Sequence, residues 1–387
     1  MKYCPSAKKC GGCTSIHEPY ENSLAGKQEK VQKLFPGHKV EQIIGMEDPY
    51  HYRHKIYASF SHAKDGRIMA GMYEEHTHRL IDSRMCLIQH AKANAILQTI
   101  CTLATEMKIQ SYDEDTGTGT LRHAYMRVSH KTGEVLLVVV IGSKDLPGSH
   151  AFVQKIVKAH PEIATVILNW NRDNTSMILG PKDKVLYGKG YIEDEIDGMV
   201  FRISAHTFYQ VNPVQTEVMY STALQYAKLK ETDTVLDMCC GIGTISLLAA
   251  RKAKYVLGVE VNPKSIQDAR KNAVRNHIRN AEFLAMDGEE FIHELMDTPD
   301  VVFLDPPRSG FSESFMRALQ KLAPEKIVYV SCNPITQARD LKVISGTYHI
   351  DQIQPVDNFP FTTELECIVS LTRKQIKDKN TFHRSKR

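Results

Sequence analysis

Between residues 213 and 330 the chain alternates helical and strand patterns without a break, and nothing else in it constrains the fold so tightly. Periodicity predicts helices over 213–229, 243–252, 263–276, 288–295 and 312–322, interleaved with strands over 233–238, 255–260, 281–285, 300–304 and 326–330. Runs such as Val301-Val302-Phe303-Leu304 and Ile327-Val328-Tyr329-Val330 have no polar face, so both sides of the sheet they form must be covered. Strands that alternate with helices pair in parallel, which predicts an α/β, Rossmann-like domain. Sheets of this kind bind ligands beyond the carboxyl ends of their strands.

At 387 residues, and about 150 per domain, the chain should form two or three domains. Residues 121–130, the turn Lys131-Thr132-Gly133 and residues 134–142 predict a β-hairpin, followed by a helix over 148–160 and a strand over 164–170. This reads as an α+β unit with an antiparallel sheet. The character of the sequence changes between residues 195 and 212, which divides the chain into 1–205 and 206–387. Residues 50–60 interleave His51, Arg53, His54 and Lys55 with Tyr50, Tyr52, Tyr57 and Phe60, a pattern that suits RNA contacts as well as it suits an ordinary solvated strand. Arg122, His123 and Arg127 are further candidates to face RNA. Residues 373–387 carry seven Lys or Arg against one Asp and read as a solvated tail.

The net charge of +4 permits an anionic partner without requiring one. The first residues lack an apolar leader and no run of about eighteen apolar residues occurs, so a cytoplasmic protein is expected, with no membrane partner and no evident obligate protein partner. Nine cysteines, an odd number, argue against a disulfide framework. Cys4, Cys10 and Cys13 lie close together with Gly11-Gly12 between the last two, and Cys86 is the best fourth member, because Cys101 falls on an apolar helical face. Four thiolates suit either a [4Fe–4S] cluster or structural zinc.

The predicted strand ending at Met238 opens into Cys239-Cys240-Gly241-Ile242-Gly243-Thr244, where Gly241 lets a ligand approach the backbone. The third glycine of the dinucleotide fingerprint is missing, as is a Gly-Lys-Ser/Thr phosphate cradle. Glu260 ends the next strand, 19 residues after Gly241, where a carboxylate can take both ribose hydroxyls. Asp287 follows the third strand, placed for an adenine amino group, and Asp305 ends the fourth. Acids at successive strand ends without a pyrophosphate site suggest S-adenosylmethionine. Cys332 ends the fifth strand, where a free thiol is either buried and inert or a nucleophile.

Asp305-Pro306-Pro307-Arg308-Ser309-Gly310, the run from Ser331-Cys332-Asn333-Pro334 to Asp340-Leu341, and Asn358-Phe359-Pro360-Phe361-Thr362-Thr363-Glu364-Leu365-Glu366 resemble the bacterial RNA uracil-5 methyltransferases. The resemblance spans nearly the whole chain, since Cys4, Cys10, Cys13 and Cys86 match the [4Fe–4S] ligands of the 23S rRNA branch. It implies that Cys332 is the nucleophile, that Glu366 is the base, and that S-adenosylmethionine contacts fall on Gln210, Cys239, Thr244, Glu260, Asp287 and Asp305. The implied reaction forms 5-methyluridine on an unpaired or flipped uridine. Glu364 and Glu366, two apart in an extended run, should share a face and raise one another. The chain departs from the family pattern in four places. No TRAM-type barrel precedes Cys4, Cys239 stands where an aromatic is frequent, Thr244 where Asn is, and Glu364 where His is. Rival readings are the same chemistry on tRNA and a non-catalytic, cluster-bearing RNA-binding protein. A cytosine-5 methyltransferase would carry Pro-Cys, which Ser331-Cys332 does not match.

Overall fold

The computed structural model describes residues 2–7, 9–74, 77 and 79–375, so most of the basic tail lies outside the described residues. Helix α1 (Tyr20–Leu34) leads into β1 (Lys55–His62), β2 (Ile68–Tyr73) and β3 (Leu80–Asp82), then α2 (Ala91–Glu106). After these come β4 (Leu121–Val128), β5 (Val135–Ile141), α3 (Ser149–Ala159), β6 (Ile163–Trp170) and β7 (Lys182–Gly188). The seven strands form one sheet in the order β3-β2-β1-β4-β5-β6-β7. The predicted hairpin is β4–β5, but the sheet is not purely antiparallel: β5 and β6 pair in parallel, because α3 crosses over one face and returns the chain in the same direction. Helices α2 and α3 cover that face through Ile96, Leu97, Ile100, Phe152 and Ile156.

A small hairpin, β8 (Ile192–Ile196) and β9 (Met199–Ile203), precedes the alternating half. That half runs α4 (Pro213–Ala227), β10 (Thr234–Met238), α5 (Thr244–Ala250), β11 (Tyr255–Glu260), α6 (Pro263–Arg275), β12 (Ala281–Ala285) and α7 (Gly288–Glu294). It ends with β13 (Val301–Leu304), α8 (Glu313–Leu322), β14 (Lys326–Ser331), α9 (Pro334–Ile344), β15 (Tyr348–Val356) and β16 (Glu366–Arg373). Every helix and strand expected between 213 and 330 is present within about two residues of its bounds, in the order β12-β11-β10-β13-β14-β16-β15. The first five strands are parallel, and β16 and β15 add an antiparallel edge.

Three helices that leave the ligand side of this sheet begin alike. Asn212-Pro213, Asn262-Pro263 and Asn333-Pro334 each put an Asn cap ahead of a proline in the first turn, the cap accepting from Gln215 N, Lys264 N and Ile335 N respectively. The two sheets share a core, in which Tyr125, Leu136 and Val138 of the first meet Phe201, Tyr220 and Ile368. Among the described residues no helix is long and apolar enough to cross a membrane.

Candidate active site

Strands β14 and β16 pair in a register that sets Ser331 opposite Cys367, and the next pair in that register is Cys332 with Glu366. Strand pairing therefore brings together a thiol and a carboxyl that lie 34 residues apart in sequence. Cys332 is the single residue between β14 and Asn333, the cap of α9. Asn333 Nδ2 and Thr336 Oγ1 donate to Arg308 O at 2.9 and 3.2 Å, which ties the turn carrying the thiol to the loop after β13.

Burial pushes the Cys332 thiol up to about 11, with Glu366 adding to the rise and Arg308 opposing it. Glu366 is 3 % exposed, and burial first and Asp305 second drive its carboxyl well above the usual range, against Asn358 and Arg308. Asp305, half-buried, is raised to about 7 by burial and by Asp237. Glu364 contributes little to this. Its Oε2 turns outward to Arg308 Nη2 at 3.3 Å, so desolvation rather than the expected repulsion between Glu364 and Glu366 sets the base.

Cys332, Glu366 and Asp305 line a cavity of about 550 Å³ together with Gln210, Cys239, Gly241, Thr244 and Glu260. After β10 the chain passes through left-handed conformations at Cys239 (φ 62°), Gly241 (φ 57°) and Gly243 (φ 82°) before α5 begins. Gly243 admits no side chain, since a Cβ would stand 2.8 Å from the Phe283 ring. Glu260 holds the turn by accepting from Gly241 N at 3.2 Å and from Asn262 N at 2.9 Å. Gln210 enters from the segment before α4, its Nε2 lying 3.5 Å from Tyr220 Oη.

Asp287 does not line this cavity. Its carboxylate caps α7, accepting from Glu289 N at 2.7 Å, because a short acid at a strand-to-helix turn first satisfies the helix's own N–H groups. Conversely, Asp237 and Tyr220 line the cavity although nothing in their local pattern marks them. Asp237 is pushed up to about 7 by burial and accepts from Ser246 Oγ at 2.5 Å. Thr216 and Tyr220, four apart on α4, reach the cavity from one helix face.

Phe208, 60 % exposed and with Lys55 Nζ 5.7 Å from its ring centroid, also lines the cavity, as does the exposed Arg308. An exposed ring with a cation over it suits an unstacked base and its phosphate. Within residues 50–60 only the part from Lys55 onward is strand, and Tyr52 is buried with its hydroxyl donating to Pro360 O at 3.2 Å. Arg122, His123 and Arg127 do not face RNA, because all three are buried in β4. Arg122 forms a two-pronged pair with Glu114, His123 meets Ser59, and Arg127 donates to Thr207 O and Tyr209 O.

All nine cysteines are free, and Cys101 is core, as its helical spacing predicts. Cys4, Cys10, Cys13 and Cys86 line one small pocket of about 60 Å³, walled by Ile16, Ile88 and Arg53. Burial and the other three sulfurs push the Cys13 thiol up to about 12, and the N–H groups of Ile88 and Gln89 face Cys86. Among the described residues no three His, Cys, Asp or Glu side chains are arranged to hold a metal ion.

Residues 19–374 match the family described as tRNA (Uracil-5-)-methyltransferase. An uncharacterized RNA methyltransferase of Halalkalibacterium halodurans is 40 % identical over 381 residues, covering 96 % of this chain and 83 % of that one. A second, of Bacillus cereus, is 40 % identical over 380 residues, covering 96 % and 82 %. Among solved structures, Pyrococcus abyssi tRNA (uracil-54, C5)-methyltransferase in complex with S-adenosyl-L-homocysteine superposes with a TM-score of 0.80 at 27 % identity, over 96 % of this chain and 88 % of that chain. By these matches this chain belongs to the tRNA (uracil-5-)-methyltransferase family and is an S-adenosylmethionine-dependent RNA uracil-5 methyltransferase.

Proposed function

We propose that the protein forms 5-methyluridine in 23S rRNA through a covalent adduct between Cys332 and C6 of an unpaired or flipped uracil. The observation that carries this reading is the meeting of Cys332 and Glu366 in one cavity, each one residue beyond the last β14–β16 pair. In it, residues 1–205 serve RNA docking and residues 206–387 serve methyl transfer. Gln210, Cys239, Gly241, Thr244 and Glu260 hold the methyl donor, Glu260 taking the ribose hydroxyls, and Asp305 stands between donor and uracil. S-adenosylmethionine supplies an electrophilic methyl group on a sulfonium.

Uracil C5 is a weak nucleophile, so Cys332 must first raise its electron density. As a thiolate it bonds to C6, and the C5–C6 π pair moves toward O4 as an enolate. C5 then takes the methyl group, while the pair of the broken sulfur–methyl bond stays on the donor's sulfur. Glu366, as a carboxylate, removes the C5 proton. The C5–H pair restores the double bond and Cys332 leaves as a thiolate. Arg308 favours that thiolate at the start and at the end of the cycle.

The reading assigns Cys4, Cys10, Cys13 and Cys86 to a [4Fe–4S] cluster. Support comes from the donor set: four cysteines that line one small pocket, with backbone N–H groups turned toward Cys86.

A tRNA uridine is the second reading, favoured by the likeness to the Pyrococcus abyssi enzyme, whose name specifies tRNA uracil-54. The test is to incubate anaerobically purified protein with methyl-labelled S-adenosylmethionine and unmodified total RNA, then map the label by RNA and nucleotide. Label as 5-methyluridine in 23S rRNA supports the proposal, label in tRNA replaces it with the second reading, and no label on either overturns both.

A further inference from the structure

The loop joining β15 to β16 leads directly into Glu366, and its Phe359 lines the catalytic cavity, yet many of its anchors come from the amino-terminal end of the chain. Asp357 accepts from Lys27 Nζ at 2.6 Å and from Tyr20 Oη at 2.7 Å, and Lys27 Nζ also reaches Phe359 O at 3.0 Å. Lys27 and Asp357 are both buried, with side chains 3 % and 0 % exposed.

Phe361 supplies a further link. Its carbonyl accepts from Thr14 N at 2.9 Å and from Ser15 N at 3.2 Å, the two amides that follow Cys13. Its ring, 1 % exposed, lies between Tyr20 and Tyr50, with centroids 5.4 and 5.2 Å away. It belongs to the same apolar cluster as Ile16, Tyr52 and Ile88, against which Cys4, Cys13 and Cys86 pack. Its φ is 65°, a left-handed conformation that a phenylalanine keeps only where its surroundings hold it.

We propose that Phe361 is a positioning residue that clamps the 357–365 loop to the four-cysteine pocket and so sets where Phe359 and Glu366 stand in the catalytic cavity. A shift of Cys13 moves Thr14 and Ser15, these move Phe361, and the loop carries the change to the base. The consequence for turnover rests on the roles proposed above for Cys332 and Glu366. The mechanical coupling does not.

The experiment compares full-length wild type, Phe361→Ala, Phe361→Leu and Cys86→Ser, all purified anaerobically. It measures amide hydrogen exchange across 357–365, S-adenosylmethionine affinity, and the ratio of lasting protein–RNA adduct to released 5-methyluridine. Glu366 acts only after the methyl group has moved, so a misplaced base leaves Cys332 attached to RNA, whereas a general loss of structure lowers adduct and product together. In Phe361→Ala, exchange across the loop is expected to rise at least about tenfold. Donor affinity should stay within about threefold, and the adduct-to-product ratio should rise. Phe361→Leu, which keeps apolar volume, should recover most of the product rate, and Cys86→Ser should reproduce the faster exchange. Unchanged exchange in Phe361→Ala and Cys86→Ser overturns the proposal, as does a parallel loss of adduct and product. A wild type that forms no adduct sinks the covalent reading alone, and the exchange measurement still decides the coupling.

Discussion

Cys332 and Glu366 must both ionise to perform the roles proposed for them, and burial opposes each. Product formation is therefore expected to rise with pH through the neutral range. Arg308→Ala should move that rise upward by about one unit, a tenfold loss at fixed neutral pH, read from kcat/KM against pH. Cys332→Ala should lower product formation by at least about 10⁴-fold with donor affinity nearly unchanged, measured by methyl transfer and calorimetry. Asp305 supports a different test. Its carboxyl is raised from 3.8 to about 7, so between these values the folded state holds a proton that the unfolded chain has lost. The stability that this contributes is complete below about pH 4 and is lost as pH climbs through about 7. Asp305→Asn has no such loss, so in ligand-free thermal scans its melting temperature should gain a few degrees on the wild type's between about pH 5 and about pH 8.

Elements explain why these residues meet. Parallel strands β10 to β14 and their helices come from local alternation, and three Asn-Pro entries start the helices nearest the ligands. The antiparallel edge was harder to read. Six of the eight residues of β16 are buried, so no inside–outside alternation marks its register, and only that register puts Glu366 beside Cys332. The parallel pairing of β5 with β6 was missed for a similar reason, since a hairpin pattern says nothing of the strand that α3 brings back. Lys27 shows how α1 is bound to the catalytic half. Lys27→Met leaves the Asp357 carboxylate buried without its counter-charge, with only the Tyr20 hydroxyl and the Phe359 N–H still donating to it, so it should cost about 3–5 kcal/mol, seen as a lower urea midpoint.

At the scale of the whole molecule, two sheets share a core and the four-cysteine pocket lies against the loop that carries the base. Anaerobically purified protein is expected to contain iron and sulfide in equal amounts, and Cys13→Ser to lose both; a colourless, zinc-loaded wild type would refute the cluster. Sequence by itself determined the α/β half, the glycine turn, Glu260 as a strand-end acid and Cys332 as a strand-end thiol, because each follows from patterns a few residues long. The grouping of Cys4, Cys10 and Cys13 was legible in the same way, while Cys86 needed a comparison of surroundings. Only the tertiary structure decided that Asp287 spends its carboxylate on a helix cap and that Arg122, His123 and Arg127 are buried rather than RNA-facing. It alone placed Tyr220 in the cavity and Phe361 against the cysteines. Burial and pairing depend on surfaces supplied by distant segments, and no local pattern of residues carries that information.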